Sequence, residues 1–261
     1  STDNFNTQDT DSTNFNVDTT NPIITITAPN LTSSSTQAIT ISISENVVSK
    51  WYLLNGTTTN LSENSFSINL DEGINNLVVK AQDSAGNIGS KSIVITLDTN
   101  PPSIDSPNQT NVVEKGSSQT IVVKITDNEG VDSVKFEMNG TNTSLTSSND
   151  IYSYSPSTST TGVKNYKIYA EDEPGNKVSY SGSYSVVDTS NPIVTITSPN
   201  SGTTRSTSVT LIASVTEYAE TSYELDSGLP TSFFNGTSGT KSFTSLSSGS
   251  HTIYVNATDL E

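Results

Sequence analysis

Residues 17–22 read V-D-T-T-N-P, and two close copies of this stretch follow later in the chain. Residues 97–102 read L-D-T-N-P-P, and residues 187–192 read V-D-T-S-N-P. The Asp-Thr pairs of the three copies are 80 and 90 residues apart. A period of this size is typical of small β-sandwich repeats, so the 261 residues are predicted to form tandem repeats rather than one large domain.

A second motif recurs towards the end of each repeat. Residues 81–87 read A-Q-D-S-A-G-N, residues 170–176 read A-E-D-E-P-G-N, and the third copy reaches A-T-D at 257–259. Asp, Gly and Asn at these spacings favour tight turns, because Asn and Gly tolerate positive φ. The motif therefore predicts an equivalent turn after an equivalent strand in each repeat.

Between the two motifs, apolar residues alternate with Ser and Thr. The alternating stretches are residues 39–43, 77–81, 121–125, 166–170, 209–213 and 253–257. A period of two predicts half-buried strands, and the Asn-Gly pairs at 55–56 and 139–140 predict tight hairpin turns. About seven short strands per repeat favour an immunoglobulin-like sandwich.

The composition excludes several classes of function. The net charge is −16, with 27 acidic and 11 basic side chains, which argues against binding to nucleic acid or to anionic membranes. The chain has no cysteine, so disulfides and thiolate metal sites are excluded. No apolar run is long enough to insert into a membrane as a helix. Stability is expected from packing, bound ions or neighbouring chains.

The two motifs resemble those of Ig-like repeats in prokaryotic cell-surface proteins, including adhesins and archaeal surface-layer or filament proteins. The resemblance covers the chain after Asn16. It implies an all-β fold of tandem immunoglobulin-like β-sandwich domains arranged as a rod, with repeats at 17–97, 98–187 and 188–261 behind an N-terminal arm at 1–16. It also implies an extracellular, cell-surface structural protein, either a filament or stalk subunit or a segment of an adhesin or surface-layer stalk whose ligand-binding part lies elsewhere.

The two ends of the sequence suggest a joint between subunits. The third repeat has no counterpart of the final strand, which is at residues 91–97 in the first repeat and 181–187 in the second. Residues 11–17 occupy that same position before the first D-T motif. Either the sequence is a window from a longer array, or Asn14, Phe15, Asn16 and Val17 of one copy complete the third repeat of a neighbour. The second hypothesis predicts a head-to-tail homopolymer built by donor-strand complementation.

Acidic residues are expected to meet at one pole of each sandwich, where the opening linker, the B–C loop and the F–G loop converge. The first repeat supplies Asp18, Glu45 and Asp83; the second supplies Asp98, Asp127, Glu129 and Asp172, faced by Asp71 and Glu72; the third supplies Asp188, Glu217 and Asp259. Clustered carboxylates suit Ca²⁺, which is the one cofactor the sequence suggests. The alternative is that these side chains only form turns with their own backbone.

The remaining candidate sites concern the surface. Glycosylation sequons begin at Asn30, Asn55, Asn60, Asn108, Asn139, Asn142, Asn235 and Asn256. Trp51, Phe233 and Phe234 are candidate contact residues, with burial by their own domain as the alternative. The single histidine, His251, has no cysteine or second histidine to act with, and no catalytic motif is present, so no enzymatic activity is expected. The expected partner is another copy of the chain or a neighbouring surface protein.

Overall fold

The computed structural model describes residues 10–260, and all the regular structure in that range is β-strand. No helix within this range is long and apolar enough to cross a membrane. The all-β prediction is confirmed. Residues 1–9 of the predicted arm and Glu261 of the third repeat lie outside the described residues, and residues 10–16 of the arm contain no strand.

The first repeat is a sandwich of two sheets. Its strands are β1 (Ile24–Thr27), β2 (Leu31–Thr32), β3 (Thr36–Ile43), β4 (Ser49–Leu54), β5 (Thr57–Asn60), β6 (Ser65–Asn69), β7 (Gly73–Gln82) and β8 (Ile88–Leu97). One sheet has the order β1-β3-β6, and the other has the order β2-β8-β7-β4-β5. The short strand β2 pairs parallel to β8, while the other neighbours are antiparallel.

The second repeat follows the same plan of three strands against five. Its strands are β9 (Ser103–Ile104), β10 (Val112–Glu114), β11 (Ile121–Thr126), β12 (Val131–Met138), β13 (Thr141–Leu145), β14 (Ile151–Tyr154), β15 (Gly162–Asp172) and β16 (Lys177–Val187). The sheet orders are β14-β11-β9 and β10-β16-β15-β12-β13, with β10 parallel to β16. Both Asn-Gly turns have positive φ at each residue, as their sequences predict.

Alternation along the strands builds the cores. In the first sandwich, the buried apolar residues are Ile24, Ile39, Ile41, Ile68, Leu70, Leu77, Val79, Ala81, Ile95 and Leu97. In the second sandwich, the buried Phe136 ring stacks on Tyr154 and Tyr166, with centroids 4.1 and 5.0 Å away. Burial raises the pKa of Tyr166 to about 12. Removing such side chains from water is the main term that stabilises these thin cores.

The third repeat has fewer and longer strands. They are β17 (Val194–Ser198), β18 (Val209–Leu225), β19 (Thr231–Phe243) and β20 (Ile253–Asp259). Strand β18 pairs with all three others and carries register shifts. Glu217, which was predicted to lie in a loop, lies inside β18, because the extended chain runs on through a register shift between Ser214 and Ala219 instead of forming a separate loop.

Contacts divide the chain into two compact units. The first comprises residues up to 108 together with 121–154 and 166–182. The second comprises residues 109–120, 155–165 and 183 onward. The linker at Asp98 belongs to the first unit, and the linker at Asp188 belongs to the second.

Candidate cation sites and linker contacts

The aspartate of every D-T motif shapes its own linker. One oxygen of its carboxylate accepts a hydrogen bond from the backbone N–H two residues later, which forms an Asx turn. The three bonds are Thr20 to Asp18 at 3.0 Å, Asn100 to Asp98 at 3.0 Å, and Ser190 to Asp188 at 3.3 Å. This is the turn role that the sequence predicts as the alternative to metal binding.

In the second and third D-T motifs, the threonine binds a glutamate from the sandwich before it. Glu72 accepts hydrogen bonds from the Thr99 N–H at 3.2 Å, the Thr99 hydroxyl at 2.9 Å and the Asn100 side-chain amide at 2.8 Å. Carboxylate acceptors make stronger hydrogen bonds than neutral ones, so this contact holds the start of the linker against the first sandwich.

The next linker is held in the same way by a glutamate of the second repeat. Glu114, at the end of β10, accepts from the Thr189 N–H and hydroxyl, both at 2.8 Å, and from the Ser190 hydroxyl at 3.1 Å. The backbone N–H of Thr189, followed by its hydroxyl, lowers the pKa of Glu114. Glu72 lies in the loop between β6 and β7, whereas Glu114 is the last residue of β10, so the two glutamates hold their linkers from unrelated positions in the fold.

The asparagine of the D-x-x-G-N turn holds the linker from the other side. In the first repeat, Asn87 donates its side-chain amide to the Asp18 carbonyl at 3.1 Å and to the Asp83 carboxylate at 2.8 Å. The side-chain bond from Asn87, with backbone donors in the same turn, lowers the pKa of the buried Asp83. The turn therefore fixes the linker and its own aspartate together.

The second repeat has the equivalent contact. Asn176 donates to the Asp98 carbonyl at 2.8 Å and to the Asp172 carboxylate at 2.9 Å. We call the combination of the glutamate–threonine bonds and the asparagine–carbonyl bond the linker clasp. It is complete around Asp98, with Glu72 on one side and Asn176 on the other.

Two of the three acidic groups expected from the sequence come together. Asp18, Glu45 and Asp83 form one group, and Asp98, Asp127 and Asp172 form the other. Within each group, one carboxylate oxygen per residue lies within 4.8 Å of the others. Oxygen ligands at this separation can surround a hard divalent cation. Calcium binding stays a prediction.

The other predicted acids are not brought into such groups. Glu129 is exposed, and its backbone N–H donates to Asp127. Asp71 is exposed and contacts Asn75 through its backbone, while Glu72 serves the linker clasp. In the third repeat, Asp188, Glu217 and Asp259 do not form a three-residue group within residues 10–260, and Asp188 is paired with Lys115 at 3.3 Å.

The candidate surface residues have mixed environments. All eight sequon asparagines are exposed. Trp51 is half-buried next to Tyr52, which packs against the core. Phe233 and Phe234 are half-buried and contact each other edge-to-face at 4.7 Å, and Phe233 also contacts Tyr223. Phe15 and Val17 of the proposed assembly strand are 81% and 79% exposed.

His251 has a structural environment. Its Nδ1 lies 2.6 Å from Asp226 Oδ2, and its Nε2 lies 3.0 Å from the Ser247 carbonyl. Asp226 also accepts from the Thr252 N–H at 2.8 Å. The histidine thus ties the segment before β20 to the turn after β18.

Sequence reasoning missed the residues that hold the linkers. Glu114, Lys115, Asn87 and Asn176 were not singled out as linker contacts. The recurring Gly-Asn pair was a usable signal, since one asparagine at a fixed place in successive turns suggests a common hydrogen-bond partner. Glu114 and Lys115 gave no comparable signal, because their partners are 73 or more positions away.

Comparisons with known proteins agree with the fold. A family model described as a bacterial Ig domain matches residues 103–170. No curated protein matches the chain significantly. The match identifies an immunoglobulin-like domain in the second repeat, in agreement with the tandem Ig-like repeats inferred from sequence.

Several solved structures are also similar at low identity. The tetra-tandem repeat in the extending region of a large adhesion protein is 18% identical, with 91% of this chain and 70% of that chain covered and a TM-score of 0.39. A structure concerned with host cell surface retention of a 1.5-MDa bacterial ice-binding adhesin is 16% identical. The match covers 87% of this chain and 88% of that chain, with a TM-score of 0.35. The fibronectin(III)-like modules of Clostridium thermocellum CbhA are 15% identical. The match covers 63% of this chain and 93% of that chain, with a TM-score of 0.36.

Proposed function

We propose that this chain is an extracellular structural protein of the cell surface, a non-enzymatic spacer within a filament or stalk. The observation that carries the proposal is the linker clasp. Glu72 and Asn176 hold the linker at Asp98 from both sides, and Glu114 holds the start of the linker at Asp188.

The clasp suits a mechanical role because it restricts the segments that would otherwise be hinges. Short polar linkers are normally free to rotate, while proline and side-chain hydrogen bonds reduce that freedom. A chain of sandwiches with restrained linkers transmits force through its backbone ladders. The acidic surface favours solubility outside the cell and disfavours nucleic acid as a partner.

Antibody labelling of cells that produce the protein tests its location. Intact cells are compared with permeabilised cells. The proposal predicts that intact cells are labelled as strongly as permeabilised cells, with label on fibres or stalks. Label that needs permeabilisation would contradict a cell-surface role.

The exposed sequon asparagines are proposed glycosylation sites, and intact-mass measurement of the natural protein tests that directly.

A second candidate function is assembly by donor-strand complementation. It is favoured by the incomplete burial of the apolar side chains of β20 in the third repeat. Ile253, Val255 and Ala257 of β20 are half-buried, whereas their counterparts on β7 and β15 are fully buried. In the first two repeats, β8 and β16 lie beside those counterparts. We infer that residues 11–17 of a second copy add the corresponding strand to the third repeat.

The donor strand has a matching pattern. Ile95 and Leu97 of β8 are buried three positions and one position before Asp98. Phe15 and Val17 stand at the same offsets before Asp18, and both are exposed in their own chain. Insertion would bury them and add backbone hydrogen bonds at a free strand edge.

Negative-stain electron microscopy tests this assembly with the full chain. Filaments are expected from the wild type and not from a variant with Phe15→Ser and Val17→Ser. The matched control is Asn14→Ser with Asn16→Ser, because these positions alternate with the two apolar residues and would face away from the core of the third repeat. The control should still polymerise. Monomers from all three proteins would overturn donor-strand assembly and favour a stalk segment of a longer array.

A further inference from the structure

We propose that Asp98, Asp127 and Asp172 bind one divalent cation of the Ca²⁺ class, whereas the linker at Asp188 uses Lys115 in place of a metal. The two D-T linkers would then differ in their response to chelation. The inference deepens the proposed structural role by naming what completes one linker. Its binding test does not depend on where the protein is located.

The three aspartates bury negative charge in one place. Asp98 and Asp172 are 0% and 1% exposed, and Asp127 is half-buried. The three side chains each contribute an oxygen to a group spanning no more than 4.8 Å. Within residues 10–260, no lysine, arginine or histidine forms an ion pair with any of them. Burying like charges together is costly unless a cation compensates them.

One oxygen of the group is not used by the turns. Asp127 and Asp172 engage their own turns, through Gly130 and Asn176 among other donors. Asp98 accepts from the Asn100 N–H with Oδ1, but its buried Oδ2 has no hydrogen-bond partner within the described chain. Turn formation therefore accounts for one oxygen of Asp98 and leaves the other unexplained. A buried acceptor of this kind points to a missing ligand.

At the linker that begins with Asp188, a lysine balances the charge of the aspartate. Asp188 also uses Oδ1 for its Asx turn, with the Ser190 N–H as donor. Its second oxygen, Oδ2, lies 3.3 Å from the Lys115 ammonium, and its side chain is 7% exposed. The aspartate of the D-T motif is therefore paired with a lysine at Asp188. At Asp98, no lysine, arginine or histidine among the described residues forms such a pair.

The ligand chemistry favours Ca²⁺ over Mg²⁺. Ca²⁺ accepts six to eight oxygens in irregular geometry, including carboxylates shared with turns, while Mg²⁺ requires near-octahedral order and retains its water. The group formed by Asp18, Glu45 and Asp83 does not carry the same inference. Both oxygens of Asp83 accept hydrogen bonds from its own turn, and no oxygen in that group is comparably orphaned within residues 10–260.

The test is calcium titration of the full chain after treatment with EDTA. Isothermal calorimetry measures affinity, and ¹⁵N NMR shifts of the Asn100, Gly130 and Gly175 amides locate the site. The chain is compared with Asp98→Asn and Asp127→Asn, because asparagine keeps the turn-forming oxygen and removes the charge. Asp188→Asn is the matched control at the lysine-paired linker.

Binding with a Kd of about 0.1–1 mM is expected for the wild type, as in extracellular calcium modules, and both cluster variants should bind at least about tenfold more weakly. Asp188→Asn should bind as the wild type does. Absence of calcium-induced shifts at the three amides would overturn the site, and so would wild-type affinity in Asp127→Asn. An equal loss in Asp188→Asn would overturn the distinction between the linkers. None of these outcomes bears on cell-surface labelling.

Discussion

Asp226 and His251 show how a single pair of side chains makes the third repeat sensitive to pH. The hydrogen bond with Asp226, followed by that with the Ser247 carbonyl, raises the pKa of His251 above its ordinary 6.5. The bond from His251, followed by that from the Thr252 N–H, lowers the pKa of Asp226 below its ordinary 3.8. The protonated histidine and the ionised aspartate are therefore the forms that the fold favours.

The sign of the pH effect follows from these directions. The contribution of His251 is fully present below pH 6.5 and is lost as pH rises through the raised pKa. The contribution of Asp226 is present above pH 3.8 and is lost as pH falls through the lowered pKa. His251→Gln should therefore lower the urea midpoint at about pH 5.5 and have a smaller effect at about pH 9. A loss that is the same at both pH values would contradict the charged pair.

Gly89 shows a close approach that only glycine permits. A Cβ placed on Gly89 would lie 1.8 Å from the carbonyl oxygen of Pro22, and backbone atoms cannot move as freely as a side-chain tip. Gly89→Ala should therefore destabilise the first sandwich by about 3 kcal/mol, the upper part of the usual range for overpacking. Ser90→Ala, at the exposed neighbouring position, should change stability by less than about 0.5 kcal/mol. Equal urea midpoints for the two variants would contradict this explanation of the glycine.

At the scale of elements, β20 differs from its counterparts β7 and β15. The inward residues of β7 and β15 are buried, while those of β20 are only half-buried. Strand β20 pairs with β18, and no strand within the described residues pairs with its other edge. Amide hydrogen exchange in the unassembled chain should therefore be faster in β20 than in β7 or β15. Equal protection would contradict an open edge and remove the main support for donor-strand assembly.

Strands were the part of the fold that local sequence predicted well. Residues such as Ile39, Ile41, Ile121 and Ile125 alternate with polar neighbours, and their burial follows directly from that period. The prediction failed at Glu217, where strand β18 continues through the expected loop. Alternation shows which face of a strand is buried, but it does not show whether a polar stretch between two strands leaves the sheet.

The candidate cation sites were predictable to the extent that topology brings loops together. Asp98, Asp127 and Asp172 were expected to meet because a linker and two loops converge at one pole, and the structure brings them together. The pairing of Lys115 with Asp188 was not predictable, since it depends on a side chain just after β10 reaching a linker 73 residues later. Contacts between distant segments require the packed structure, whereas Asx turns can be inferred locally.

At the scale of the whole molecule, the linkers are restrained by their own side-chain contacts. Glu72 makes three hydrogen bonds to residues 99 and 100, and Glu114 makes three to residues 189 and 190. Each linker would gain rotational freedom if its glutamate were removed, because the remaining polar residues have little apolar surface to pack. Neither glutamate is buried in a core, so the sandwiches should stay folded in such variants.

The most direct measurement is small-angle X-ray scattering of the full chain in calcium-containing buffer. It compares the wild type with Glu72→Ala plus Glu114→Ala, and with a control that removes two exposed glutamates, Glu63→Ala plus Glu173→Ala. We predict that the wild type and the control each fit a narrow range of dimensions, while the clasp variant requires a broad range of dimensions at unchanged circular dichroism. A wild type as variable as the clasp variant would contradict the central claim that clasped linkers make this chain a stiff spacer.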